Sequence, residues 1–294
     1  MSLELQIILP GFLACLLLTG FLAYLGLHVL ARGVIFVDIA LAQIAALGGA
    51  VASYFGVEPH TTESWLWSLV FTFAGAALFS STRGLRRRVP QEAFIGITYA
   101  VAAAAALLVA HSLPHGDEEI KEILVGSLLT VTLREVGVTA LIFLALAVLH
   151  LVFRRRFLEL SFEHEHTTQE GLRPMLWDLL FYASFGVVIT SSVQMAGVLL
   201  VFSFLIVPAV FSALFFERLL ARLTLAWVLG ALVSALGLWG SFRFDLPSGA
   251  AVVVSFGGAL LLGLLARGLL SKRRGPHDRS TPRDLADTLP SGTP

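Results

Sequence analysis

Cysteine is almost absent from this chain: Cys15 is the single one among 294 residues. One cysteine cannot form an intrachain disulfide, so a disulfide framework is excluded. Cys15 lies inside an apolar run that continues to Leu30, and Glu4 stands where a secretion signal would carry positive charge. We therefore expect the first segment to be a membrane span that the protein retains.

Charge is also scarce. Only 14% of the residues are charged, 57% are hydrophobic, and the mean hydropathy is +0.85. The 20 basic and 20 acidic residues cancel to a formal net charge of zero, so bulk charge predicts no nucleic-acid partner. Soluble domains of ordinary composition are far less apolar. The composition predicts an all-α fold, a polytopic transmembrane helix bundle.

Three motifs of energy-coupled and hydrolytic proteins are missing. The chain has no G-x-x-x-x-G-K-[ST] phosphate loop, no H-E-x-x-H and no G-x-S-x-G. It therefore has no P-loop with which to hydrolyse ATP. The usual sequence motifs of a metalloprotease or a hydrolase are also missing. No cofactor is predicted. Energy for pumping would have to come from an ion gradient or from a separate ATPase.

Apolar runs are abundant. A helix needs about 20 apolar residues to cross a bilayer. Residues 1–271 are predicted to form one membrane domain, and the polar residues 272–294 a disordered tail. Alanines at 102–106 predict an interior position for the fourth run, because small residues let helices approach closely. We count nine runs, or eight if the short second one crosses only partly: 7–30, 39–55, 65–81, 94–113, 136–153, 176–193, 197–216, 223–242 and 250–270.

Clusters of basic residues set the predicted orientation. They occur at 83–88, 154–156 and 272–274, and Lys and Arg beside spans are retained in the cytoplasm. All three clusters agree if the N-terminus is outside and the C-terminus is cytoplasmic. Residues 120–132 are apolar but too short to cross, so we expect a re-entrant or surface helix on the outer face.

Residues 154–174 form the longest polar stretch before the tail. Aromatic and leucine side chains alternate with polar ones from Phe157 to Phe162, and carboxylates follow. We expect about two helical turns over residues 163–170, ended by Gly171, with Pro174 preventing continuation. Such a helix suits docking on a soluble partner. An ordinary solvated loop between two spans is equally compatible with this spacing.

Polar groups at membrane depth are costly and are therefore candidates for function. Asp38 lies at the start of the second run, and Gln43 follows about 140° further round a helix. Asp38 fits either a helix N-cap or a substrate path. Gln194 belongs to a polar set between the sixth and seventh runs. Pro208, inside the seventh, predicts either a kinked, pore-lining helix or a kink that serves packing alone.

Histidines mark the predicted outer loops. His60, His111 and His115 occur there, the last two beside the acidic residues 117–119. Imidazole and carboxylate are ligands for zinc and related divalent ions, so these loops could attract or pass a cation. Their spacing does not make a tetrahedral site, and solvated loop histidines are the simpler interpretation.

Five segments together resemble the membrane subunits of ABC importers for zinc, manganese and iron ions. The most specific one, MAGVLLVFSFLIVPA, ends in Pro208 and Ala209. Many members carry a histidine at the position of Gln43 with an aspartate four residues earlier, whereas here Asp38 is five earlier. The segments are LARGVIFVDIALAQ (30–43), EAFIGI (92–97), ILVGSLL (123–129), MAGVLLVFSFLIVPA (195–209) and DLPSG (245–249).

The resemblance implies a permease of the type II ABC importer kind in a bacterial inner membrane. It implies a homodimer with two ATP-binding cassette ATPase subunits in the cytoplasm and a metal-binding protein docking outside. Residues 154–174 would hold the coupling helix, with Phe162, Glu163, Glu170 and Gly171 in contact with the ATPase. The cargo would be a divalent metal ion, zinc first, passing Asp38, Gln43, His60, His111, His115, Gln194 and Pro208.

Two other classes stay open at this stage. An ion-gradient-driven secondary metal transporter would be expected to carry several buried carboxylates or matching pairs of broken helices. The chain offers only Asp38 and Asp178 near the membrane, both toward its predicted cytoplasmic face. An intramembrane enzyme or a structural subunit is the third class, and catalytic-type residues gathered in one cavity would favour the enzyme.

Overall fold

Ten helices make up most of the part of the chain that the structure describes. The computed structural model describes residues 3–59, 61–82, 89–113, 116, 124–126, 128–162 and 172–273. No strand occurs among these residues, which confirms the all-α class. The helices are α1 (Leu3–Arg32), α2 (Val37–Tyr54), α3 (Thr62–Ser81), α4 (Gln91–Ala110), α5 (Leu133–Val152), α6 (Arg154–Phe162), α7 (Leu172–Ala196), α8 (Val198–Phe215), α9 (Leu219–Phe244) and α10 (Ser248–Arg273).

Nine of these helices, all except α6, are long and apolar enough to span a membrane within the described ranges. The prediction of nine spans is confirmed, because the short second run forms an uninterrupted helix of 18 residues. Helices are the expected elements here, since a helix satisfies every backbone polar group within its own segment and a bilayer offers no water to do so.

Most spans begin a few residues earlier than the apolar pattern predicted, and at two of these starts polar side chains find partners. Before α5, Thr132 and Glu135 form a capping box: the Thr132 hydroxyl accepts from the Glu135 N–H at 3.2 Å, and a Glu135 carboxylate oxygen accepts from the Thr132 N–H at 2.7 Å. At the start of α4, the Gln91 amide donates to the carbonyl of Phe79 at 3.1 Å.

The helices sort into a buried centre and an exposed periphery. Among the described residues α7 is the most buried span and α2 the next, whereas α4, α5, α9 and α10 present most of their residues outward. The prediction that the fourth run lies in the interior is therefore wrong. Ala102, Ala106 and Ala110 are buried on one face of α4, which packs against α2, and the rest of the helix faces out. Alanines spaced four residues apart lie on one face of a helix, so they allow close packing on that face alone.

The α7–α8 junction defines one end of the bundle, here named the Gly197 end. Gly197 alone separates the two helices and has a φ of +79°, a conformation that favours glycine. Gly126 packs directly against it. Leu128 donates its N–H to the hydroxyl of Ser248, the first residue of α10, at 2.9 Å.

The helix predicted over residues 120–132 is largely absent from the described residues of that segment. Leu124 and Val125 are helical, and residues 128–132 are not. Close contacts with Gly197 and Ser248 hold this stretch at the Gly197 end in an irregular conformation. Irregular backbone is tolerated at membrane depth where protein covers it.

The opposite end, here named the Arg32 end, carries the last turn of α1, the first turn of α2 and the short helix α6. The observed helix covers Arg154–Phe162, ahead of the residues for which a helix was predicted. Residues 163–171, and with them Glu163, Glu170 and Gly171, lie outside the described residues. Phe157 and Ser161, four residues apart, form the buried face of α6, while the three arginines at 154–156 are exposed.

Candidate functional site

Asp38 is buried in the first turn of α2, with 1% of its surface exposed. The N-cap position belongs to Phe36, and no side chain caps the helix, so the interpretation of Asp38 as the N-cap is wrong. Neither carboxylate oxygen has a hydrogen-bond partner among the described residues. A buried carboxylate without a partner is costly unless it takes up a proton or a cation, so Asp38 is a candidate cation-binding group.

Gln43 lies on the same helix and is also buried. α2 packs against α3, α4 and α7, so both side chains project into the most buried part of the bundle. Their oxygens are hard ligands of the kind that bind divalent ions weakly when few in number. Asp38 and Gln43 are thus two of the predicted path residues that the bundle buries.

The polar set before Gly197 is used mainly in helix packing. The Thr190 hydroxyl lies 2.9 Å from that of Thr72 on α3, and the Trp65 indole donates to Ser191 at 3.2 Å. Ser192 donates to the carbonyl of Val188 in its own helix. Gln194 is half-buried near the Gly197 end. The bonds of Thr190 and Ser191 join α3 to α7.

Pro208 is buried inside α8, a helix that runs without a break from Val198 to Phe215. Neighbouring hydroxyls bond to backbone within the same helix: Ser203 donates to the carbonyl of Leu199 at 2.9 Å, and Ser212 to that of Ala209 at 3.0 Å. α8 packs on α1, α9 and α10. Pro208 is thus buried among packed helices, and both interpretations of its role stay predictions.

The predicted histidine loops are only partly described. His111 follows α4 as its exposed C-cap residue, and His60 and His115 lie outside the described residues. Among the described residues, no three His, Cys, Asp or Glu side chains come together as a group that could hold a metal ion.

The structure also shows a buried polar network at the Arg32 end that sequence reasoning missed. Arg32 pairs with Asp178 at 3.1 Å, and both side chains are 2% exposed. A second set joins α5 to its neighbours, since His150 lies 2.9 Å from Ser184 and 3.4 Å from the Tyr24 hydroxyl. Arg32 and Asp178 carry opposite charges and both lie near the predicted cytoplasmic face, and this was the sequence signal from which their pairing could have been predicted.

Of the predicted coupling residues, Phe162 is the one that the structure describes. It ends α6, is 38% exposed, and its ring lies 5.5 Å from that of His28. α6 leads directly into residues 163–171, so Phe162 marks where the packed bundle passes into that segment.

Relatives of this chain include membrane subunits of metal transport systems. A manganese transport system membrane protein of Listeria innocua is 28% identical over 229 residues, covering 76% of this chain and 80% of the relative. A probable iron transport system membrane protein of Haemophilus influenzae is 23% identical over 236 residues, covering 80% of each. Among solved structures, PsaBC from Streptococcus pneumoniae in complex with Fab has the same fold, with a TM-score of 0.71, 19% identity, and coverage of 88% of this chain and 91% of that one.

A family model matches nearly the whole membrane domain. The match runs over residues 4–267 and so takes in eight apolar helices and most of the ninth, with the Asp38 region and the network at the Arg32 end. The resemblance seen in the five segments is thereby confirmed. The chain belongs to the ABC 3 transport family, as one of its membrane-spanning permeases.

Proposed function

We propose that this chain is the membrane subunit of an ATP-driven importer that carries a divalent transition-metal ion into the cytoplasm. The observation that carries the proposal is the family match over residues 4–267, together with relatives whose names specify manganese and iron transport. The buried carboxylate of Asp38, without a partner among the described residues, supplies a cation-attracting group inside the bundle.

The ion passes from the Gly197 end to the Arg32 end. His60, His111 and His115 draw it to the outer loops, Gln194 receives it near the Gly197 end, and Gln43 and Asp38 on α2 lead it inward. Pro208 on α8 lies beside this route. The donors are few and mostly oxygen, so they hold the ion weakly enough for release. A tight cage would stop transport.

The identity of the metal follows from the same donors. Zinc was favoured by the outer histidines, whereas the relatives named above are manganese and iron systems. Carboxylate and amide oxygens such as those of Asp38 and Gln43 suit manganese better than zinc. We therefore propose manganese or iron(II) as the leading cargo and retain zinc as the prediction from the loops, to be decided by competition.

ATP hydrolysis belongs to a separate partner. The chain lacks a phosphate loop, and α6 leads into the segment 163–171, whose sequence resembles a coupling helix. Two ATPase subunits would contact Phe162, Glu163, Glu170 and Gly171 from the cytoplasm. A second permease copy and a metal-binding protein outside would complete the transporter. Family membership gives the ion-gradient-driven alternative no support.

Transport by the assembled complex tests the proposal. The chain is co-expressed with candidate ATPase subunits from the same genome, purified with any that remain bound, and placed in liposomes with radioactive manganese. We expect uptake that requires ATP and the metal-binding protein and that unlabelled manganese or iron competes away more strongly than zinc. Uptake without ATP that an uncoupler abolishes would overturn the proposal in favour of the secondary transporter.

A further inference from the structure

One serine joins three helices at the Arg32 end. Ser161, in the last turn of α6, is completely buried. Its hydroxyl oxygen accepts from the Nε–H of Arg32 at 2.8 Å and lies 2.8 Å from Nδ1 of His28. Both of these residues belong to α1. Arg32 in turn donates through Nη1 to Asp178 on α7 at 3.1 Å. The serine thus connects α6 to α1 directly and to α7 through Arg32.

The guanidinium makes this connection stiff. Arg32 has its side chain 2% exposed and its charged centre 3.7 Å from the middle of the Phe181 ring. A buried cation that loses a partner is left uncompensated, so each of its bonds matters more than the same bond in water. If α6 moved and Ser161 moved with it, the Nε–H of Arg32 would lose its acceptor. Arg32 is therefore expected to follow Ser161.

An aromatic contact one turn earlier fixes α6 from the same side. Phe157 is completely buried and stacks on the His150 ring of α5 at 4.5 Å. It also contacts the rings of Phe181 and Trp177 on α7, at 5.9 Å and 6.2 Å. Phe157 and Ser161 therefore hold one face of α6 against three spans, while the arginines on its other side are exposed.

We propose that Ser161 is a positioning residue that passes movement of the segment beyond Phe162 to α1 and α7. This inference rests on the proposed function, in which the ATPase contacts that segment. When the ATPase displaces α6, the Ser161–Arg32–Asp178 chain carries the ends of α1 and α7 along. α1 continues through a short turn into α2, so the same displacement reaches Asp38. A serine that only stabilised the fold would not set how much metal moves for each ATP.

The test is the number of metal ions transported per ATP hydrolysed by the full transporter in liposomes. Ser161→Ala removes the hydroxyl, and we expect the ratio to fall about tenfold, the scale of losing a hydrogen bond to a charged group, while ATP hydrolysis continues. Ser161→Thr keeps a hydroxyl and is expected to restore most of the ratio. The matched control is Ser234→Ala, which removes a buried hydroxyl bonded to the Gly230 carbonyl of its own helix at 2.6 Å.

The outcomes separate the inference from the proposed function. If Ser161→Ala transports as much metal per ATP as the wild type, or lowers transport and hydrolysis equally, Ser161 is not a coupling residue and the inference is wrong. If that variant does not assemble, Ser161→Cys keeps the volume with a weak hydrogen-bonding group and is judged by the same ratio. A wild-type transporter that moves no metal with ATP would contradict the proposed function itself, and the inference with it.

Discussion

Two buried carboxylates at the Arg32 end differ in what surrounds them. Asp178 is paired with Arg32 at 3.1 Å, whereas neither oxygen of Asp38 has a partner among the described residues. An unpaired carboxylate removed from water costs several kcal/mol or changes its protonation. A residue that breaks the rule for buried charge is a candidate for function. The contrast separates a structural ion pair from a cation-binding candidate.

Replacing Asp38 by Asn tests this assignment. The amide keeps the shape and removes the charge, so we expect metal uptake to fall about tenfold or more, the range found when groups that support a metal site are removed. The same variant should melt at the wild-type temperature or above it, because a buried amide is cheaper than an unpaired carboxylate. Uptake is measured in liposomes and unfolding in detergent.

The control for that variant is Asp245→Asn, which changes an exposed aspartate at the end of α9 in the same way. Asparagine accepts the positive φ of 53° found there. Uptake should stay at the wild-type level. If the Asp38→Asn variant also transported metal normally, the ion would not bind this carboxylate, and the proposed path past Asp38 would be wrong.

At the scale of elements, the junction between α7 and α8 depends on glycine. A Cβ added to Gly197 would lie 2.6 Å from the Gly126 nitrogen and 2.8 Å from the Val125 carbonyl carbon, too close for either to be accommodated without movement. Segment 124–126 packs against this turn. If Gly197 or Gly126 carried a side chain, the segment could not approach the turn so closely. The sequence motif MAGVLL thus encodes a junction as well as a helix start.

Gly197→Ala is accordingly expected to destabilise the protein. A non-glycine residue at φ +79° costs about 1–3 kcal/mol even without the contact with Gly126. The loss is measured as a lower melting temperature in detergent. Gly240→Ala is the control, because a Cβ there meets no atom within 4 Å and alanine favours a helix. Equal stability of the two variants would contradict the geometry of the junction.

The short helix α6 shows what a local pattern misses. The helix predicted over residues 163–170 lies outside the described residues, and the described helix, Arg154–Phe162, is one that the pattern did not predict. Three consecutive arginines look like solvated charge in the sequence, and Phe157 and Ser161 are the buried residues of the helix. The packing of these two residues against α1, α5 and α7 stabilises a helix that has few local signals of its own.

For the whole molecule, the two ends of the bundle should face opposite sides of the membrane. Because successive spans run in opposite directions, Glu217, between α8 and α9, lies at the Arg32 end, and His111, after α4, lies at the Gly197 end. Both residues are exposed. The basic clusters predict a cytoplasmic Arg32 end. Cys15 is completely buried, so the wild-type chain already provides an unreactive background.

A membrane-impermeant maleimide reads out this orientation. In intact cells we expect labelling of the His111→Cys variant and none of Glu217→Cys, which should react only after the membrane is opened. The unmodified chain is the control for Cys15. The reverse pattern would place residues 163–171 outside the cytoplasm, and an ATPase could not then drive transport through them.

The sequence alone determined the number of spans, the fold class and the lack of a phosphate loop. Those properties follow from local composition, because bilayer thickness sets the length of each apolar run and a phosphate loop is a contiguous motif. Only the tertiary structure decided that Asp38 has no hydrogen-bond partner among the described residues, that Arg32 meets both Ser161 and Asp178, and that α4 lies at the periphery. Arg32 is separated from Ser161 by 129 positions and from Asp178 by 146. Which distant groups meet is fixed by close packing between helices, and no local pattern records it.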